Sequence, residues 1–174
     1  PIRIFAGEEL GLYAVKGEVP LIGGGLIGFV SALAEWIDRS RPKAILVLDG
    51  VGVPNRIEIE KPVVYKAFNR GGEEIANTLG GENMVHGILV GFPALMLREA
   101  EKRGMPAVAL VAQCFQSYPD PGAAISLIES ITPALGIEVE VKSLEEKSEQ
   151  LRLRLRELMD KTVKITPSMP SYVG

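Results

Sequence analysis

The chain has 174 residues, 47% of them hydrophobic and 24% charged, with a formal net charge of -3 at pH 7. That length reads as one domain burying about 70% of its unfolded surface, and the charge gives no electrostatic footing on nucleic acid or an anionic membrane. No apolar run approaches the roughly 20 residues that cross a bilayer, and no basic-then-apolar signal pattern opens the chain. The single cysteine cannot close an internal disulfide and fits a reducing, cytoplasmic setting. The sequence opens at Pro1 without a methionine, as processed material or part of a longer protein would.

In chain order, 2–6 and 12–16 are apolar strand candidates around the turn-like Gly7-Glu8-Glu9-Leu10-Gly11, a hairpin pattern. A loop over 20–25 leads into a helix expected over 26–38, with Phe29, Leu33 and Trp36 or Ile37 on one face. A buried strand over 44–48 ends at Asp49-Gly50. An excursion over 51–61 turns at Pro54-Asn55, a strand follows over 63–67, and a short helix over 73–79. A helix is then expected over 88–103, broken at Gly104. The run Ala107-Val108-Ala109-Leu110-Val111-Ala112 is short and apolar on both faces, as a parallel-sheet strand covered on both sides would be. Asp120 can cap the next helix, and Pro121 suits its first position because that N–H would be an orphan. Helix, buried strand and capped helix make an α/β signature.

Beyond Leu135, 137–141 alternates like an edge strand or an extended linker. Ser143-Leu144-Glu145-Glu146 reads as a capping box opening a helix to Lys161. Leu144, Leu151, Leu155 and Leu158 form a narrow stripe on it, open to packing on its own domain or to a subunit contact through Leu151, Leu155 and Leu158. The organisation is one α/β domain over 1–161 and an exposed, proline-containing tail over 162–174.

The chemical motifs are few. Gly23-Gly24-Gly25-Leu26-Ile27-Gly28 matches G-x-G-x-x-G, with Asp49 where a ribose-binding acid would sit. This would make Gly23, Gly25, Gly28 and Asp49 the cofactor residues of a nucleotide- or dinucleotide-dependent enzyme of Rossmann type. The fingerprint requires a buried strand directly before it, whereas Val19-Pro20-Leu21-Ile22 precedes it and Pro20 removes a ladder donor. Cys114, His86 and Asp120 include the residue types of a thiol nucleophile, a base and an orienting acid. The plain alternative packs Cys114 as a small hydrophobe and places His86 in a turn. No pair of Cys or His residues has metal-ligand spacing. Aromatics, 6% of the chain, are not interleaved with basic clusters. The residues thus name no catalytic group and no cofactor.

The segments Gly87-Ile88-Leu89-Val90-Gly91-Phe92-Pro93-Ala94-Leu95-Met96-Leu97, Arg103-Gly104-Met105-Pro106-Ala107 and Tyr118-Pro119-Asp120-Pro121-Gly122-Ala123-Ala124, with Leu48-Asp49-Gly50-Val51-Gly52-Val53-Pro54 upstream, resemble the archaeal proteasome assembly chaperone family, second-chaperone type. The resemblance runs from Pro1 to about Asp160. It implies a three-layer α/β/α sandwich with a mainly parallel sheet and a nucleoside-phosphorylase-like core lacking that enzyme's active site. It also implies a non-enzymatic homo-oligomer that binds proteasome α-subunits. Some relatives bear an ATP-grasp ligase label, which no phosphate loop here supports. Family members begin with an extra strand and a Gly/Pro-rich loop that this sequence starts after. Some dock by a C-terminal hydrophobic-Tyr-any tail. Here Ser171-Tyr172-Val173-Gly174 ends the chain, so Met169, Tyr172 and Val173 are the partner-binding candidates.

Overall fold

The structure, a computed structural model, describes residues 2–18 and 23–165, with side chains as far as Leu158. Its centre is β6 (Ala107–Cys114), whose first six residues are all buried. Alternate alanines on this strand let helices close on both sides. Ala107 and Ala109 meet Val30, Leu33, Met96 and Ala100 of α1 (Gly23–Ser40) and α3 (Gly91–Lys102). Val108, Leu110 and Ala112 meet Ala76, Leu79, Ala123 and Leu127 around α2 (Glu73–Thr78) and α4 (Pro121–Leu135). Helices therefore cover both faces of the sheet.

The sheet has four strands in the order β3 (Ile45–Gly52), β6, β4 (Val64–Phe68), β5 (Glu82–Asn83). β3 runs parallel to β6 from Ile45↔Ala107 to Gly52↔Cys114, and β5 runs parallel to β4. Between these pairs β4 lies antiparallel to β6, from Val64↔Ala112 to Phe68↔Val108. The sheet is thus mostly parallel with one antiparallel seam. β3 and β4 are joined by the expected excursion, which turns through a 3-10 segment at Arg56–Glu58 and leaves a slot that β6 fills.

The expected hairpin is present, β1 (Ile2–Gly7) against β2 (Leu12–Gly17), but as a separate two-stranded sheet. Helix α1 starts at Gly23 rather than Leu26, its first turn formed by the glycines assigned above to a loop. Helix α3 starts at Gly91 rather than Ile88. The reason is Pro93: with Gly91 first, its missing N–H falls among the orphan donors, whereas a start at Ile88 would put it in the interior, where proline breaks the ladder. The segment 137–141 joins no sheet, so the linker alternative holds. The last helix, α5 (Lys142–Ile165), begins one residue before Ser143, and the Val141 carbonyl accepts from the Leu144 N–H at 2.8 Å. Ser143 therefore sits inside the first turn, not at its cap. The strand β5 escaped the sequence because two residues carry no period.

Lys66 is buried on β4 and donates from Nζ to the carbonyls of Ala76 (2.8 Å) and Leu79 (3.0 Å), closing the end of α2. Replacing it by methionine keeps the stem but strands both carbonyls, so Lys66→Met is expected to cost about 1–3 kcal/mol. The check is a lower urea midpoint at unchanged m-value. An unmoved midpoint would show that water replaces the ammonium.

Candidate functional site

The carboxyl ends of β3 and β6 are where an α/β sheet presents a ligand crevice. Here that end is filled. Asp120, at the N-cap of α4, accepts the Ala123 N–H on Oδ1 (3.0 Å), as its position predicted, and the Phe115 N–H on Oδ2 (3.1 Å). Arg56, from the 3-10 turn, reaches the same carboxylate with Nη2 3.0 Å from Oδ1 and Nε 2.7 Å from Oδ2. Its Nη1 donates to the Ile59 carbonyl at 2.6 Å, and its guanidinium lies 5.1 Å from the Phe115 ring centroid. The two side chains are 2% and 4% exposed. Nη2 hydrogen-bonds to Oδ1 while Nε, buried, meets Oδ2 as an ion-pair contact without a hydrogen bond, so the fork offsets much of the cost of burying the two charges but leaves one donor unanswered.

Glycines admit this closure. A Cβ on Gly50 would lie 2.7 Å from Cys114 Sγ, one on Gly52 would meet Gln116, and one on Gly122 would lie 2.8 Å from Arg56 Nη2 and 3.0 Å from Ser148 Oγ. The last contact shows α5 lying over the buried pair. On α5, Leu144, Ser148, Leu151 and Leu155 are half-buried at spacings of four, three and four, the face turned to α4 and the 3-10 turn. Leu153 and Leu158 are exposed. Met169, Tyr172 and Val173 lie outside the described residues. A shallow cleft of about 290 Å3 between α4 and α5 is lined by Glu60, Lys61, Glu129, Glu145 and Glu149, with Lys61 paired to Glu129 at 2.9 Å.

The G-x-G-x-x-G match does not form a phosphate loop. Gly23, Gly25 and Gly28 are residues of α1, and the strand before them belongs to the separate hairpin, not to the sheet that carries Asp49. Asp49 accepts its neighbour Gly50's N–H at 2.8 Å. Cys114, His86 and Asp120 do not form a triad either. Asp120 is committed to Arg56 and two backbone donors, and His86 is exposed between β5 and α3, with no bond to Cys114 among the described residues. Burial, then the Asp120 and Asp49 carboxylates, push the Cys114 thiol above its ordinary value, the opposite of what a nucleophile needs. Among the described residues no cluster of His, Cys, Asp and Glu is placed to hold a metal, and no helix is long and apolar enough to cross a membrane.

A family model described as the PAC2 family matches residues 1–159. The chain belongs to the PAC2 family. Pyrococcus furiosus PbaA, described as an archaeal homolog of proteasome-assembly chaperone, aligns at TM-score 0.79 and 19% identity over 94% of this chain and 68% of its own. PbaB of the same organism, described as an archaeal proteasome activator, aligns at 0.73 and 21% over 84% of this chain and 64% of its own. A Mycobacterium tuberculosis proteasome-assembly chaperone homologue aligns at 0.61 and 17% over 99% and 72%. At such identities the likeness is one of fold. Curated proteins give no match. The PAC2 match covers the sheet, both helical layers and most of α5, in accord with the resemblance carried by the segments around Gly87 and Tyr118.

The residue that sequence reasoning missed in this PAC2 chain is Arg56. It sits in an irregular excursion, and its partner lies 64 positions away. Asp120→Asn, which leaves the guanidinium buried opposite a neutral amide, is expected to cost about 3–5 kcal/mol in denaturant unfolding. A loss under 1 kcal/mol would mean that water reaches Arg56. A raised thiol pKa leaves less thiolate at pH 8, so Cys114 should alkylate with iodoacetamide more slowly than a free cysteine, its rate still climbing at alkaline pH. A rate at or above that of free cysteine contradicts this.

Proposed function

We propose that this PAC2 protein is a non-enzymatic assembly chaperone of the cytoplasm that self-associates and binds proteasome α-subunits. The observation that carries the reading is the filled crevice. Where an α/β enzyme would open a ligand site, Arg56, Asp120, Cys114 and Gln116 close the sheet end. The outer surfaces are then left as the means of action. The fold shared with PbaA and PbaB supplies the class of partner, because those proteins are described as a proteasome-assembly chaperone homolog and a proteasome activator. The nucleoside-phosphorylase likeness of the core belongs to the same proposal.

Helix α5 is the element that projects toward a partner. Leu151 and Leu155 are half-buried and keep part of their surface open, Leu158 lies 57% exposed beyond them, and Met169, Tyr172 and Val173 follow in sequence. In this reading Leu151, Leu155 and Leu158 contribute to self-association and the tail supplies the docking anchors. An aromatic flanked by apolar residues is the type of group that dominates such binding. Co-purification with proteasome α-subunits tests it. Capture is expected, and deleting residues 162–174 or making Tyr172→Ala should weaken it by roughly tenfold or more, the loss of one anchor. Undiminished capture by the deletion removes the tail from the mechanism, and no capture by the full chain sinks the proposal.

A further inference from the structure

The four-stranded sheet ends on two edges of different kinds. At one end β5 is two residues long and carries Glu82, the short, charged form by which proteins guard an edge. At the other end β3 runs for eight residues, Ile45-Leu46-Val47-Leu48-Asp49-Gly50-Val51-Gly52, with no proline, lysine or arginine and a single acid. A long apolar edge of this kind is a template for another strand.

The inward bonds of β3 fix which of its groups face out. The Ile45 N–H reaches the Pro106 carbonyl at 2.9 Å and the Val53 N–H reaches the Cys114 carbonyl at 3.0 Å, so the odd-numbered residues serve β6. Within a parallel ladder the N–H and C=O of one residue point to the same side, and successive residues alternate. Those of Leu46, Leu48, Gly50 and Gly52 therefore point away from the sheet. The Gly50 N–H is taken by the Asp49 carboxylate at 2.8 Å. The N–H groups of Leu46 and Leu48 have no partner among the described residues. Leu48 is 46% exposed and Val51 42%, so the strand lies bare there.

We infer that the outer edge of β3 takes an extended segment of a partner protein as an added strand, apolar where it passes Leu46 and Leu48 and basic where it passes Asp49. A row of outward N–H and C=O groups matches another backbone, which supplies affinity, while alternate side chains supply specificity. Leu48 favours an apolar neighbour on its own face of the sheet. Asp49 decides between occupants. Two copies paired edge to edge about a two-fold axis, in the registers that use most of the strand, set their Asp49 carboxylates opposite or diagonal to each other. Like charges so placed repel, whereas a lysine or arginine is drawn in. The inference depends neither on α5 nor on the tail, and it stands or falls apart from the chaperone reading.

Amide exchange followed by nuclear magnetic resonance on the full chain tests this, with the acetylated, amidated peptide Thr-Val-Thr-Val-Lys-Val-Thr as probe at millimolar concentration. In the free chain the Leu46 and Leu48 amides should exchange about a hundredfold faster than that of Val47. The peptide should slow both by roughly tenfold, and the same peptide N-methylated along its backbone should slow neither. Asp49→Asn keeps an acceptor for Gly50 and removes the charge. It should weaken the lysine peptide about two- to fivefold and leave binding of a threonine-for-lysine peptide unmoved. Leu48→Pro removes an outward donor and no ladder bond, and should weaken both peptides. Leu46 and Leu48 amides as protected as Val47 in the free chain mean that the edge is already covered, which overturns the inference. So does equal protection by the N-methylated peptide, or none by the parent. Protection that rises with chain concentration without peptide puts a second copy on the edge and overturns the choice of occupant. Should Leu48→Pro not fold, the two backbones compared on the wild type decide.

Discussion

The fold turns on one buried ion pair. Arg56 and Asp120 lie 64 positions apart, and their meeting ties together three elements that the β3–β6 ladder and the α4–β6 core bring close. The guanidinium fixes the excursion between β3 and β4. The carboxylate fixes the start of α4, and the same carboxylate holds the turn after β6 through the Phe115 N–H. Burying two charges is costly unless their attraction and added hydrogen bonds offset the lost water, and here only Arg56 Nε is left without a hydrogen bond on the guanidinium side of the pair. Here Asp120 receives four contacts, and Arg56 adds a carbonyl and an aromatic face. The pair also sets the path of α5, since Gly122 leaves the space in which Ser148 approaches.

This arrangement bears on function through what it takes away. The same strand ends in an enzyme of this class would be left open, with polar groups waiting for a substrate. In this chain those groups bind one another, and bare glycines at Gly50 and Gly52 let the backbone close down over them. The polar atoms spent on architecture are unavailable for chemistry. Exposed apolar residues lie on the hairpin, on the loop bearing Val85, Ile88 and Val90, and on α5.

What the sequence made legible was whatever had a local period or a local cap. The buried run of β6, the hairpin pattern, and Asp120-Pro121 at the head of α4 were all readable within a few neighbours. So was the family resemblance around Tyr118. Where two local signals competed, the stronger steric rule won: the apolar run at 88–90 suggested helix, and Pro93 forbade it. The triglycine carried a motif without the strand that gives it meaning. Arg56 and Lys66 were invisible because their partners lie across the fold. Arg56 meets Asp120 over 64 positions, and Lys66 serves carbonyls of a helix that begins after it. A lysine in a strand and an arginine in a loop read as solvated until tertiary structure closes around them.

The slotting of β6 between two earlier strands has a consequence for the nascent chain. When β4 leaves the ribosome, its inner neighbour has not been made. At ordinary elongation rates the remaining residues through Cys114 take roughly two to ten seconds to emerge. For that interval β3 and β4 wait with their inner edges unpaired, and unpaired edges invite the wrong neighbour. The excursion between them gains its anchor only when Asp120 follows β6 out, so strand insertion and the closing of the ion pair come together.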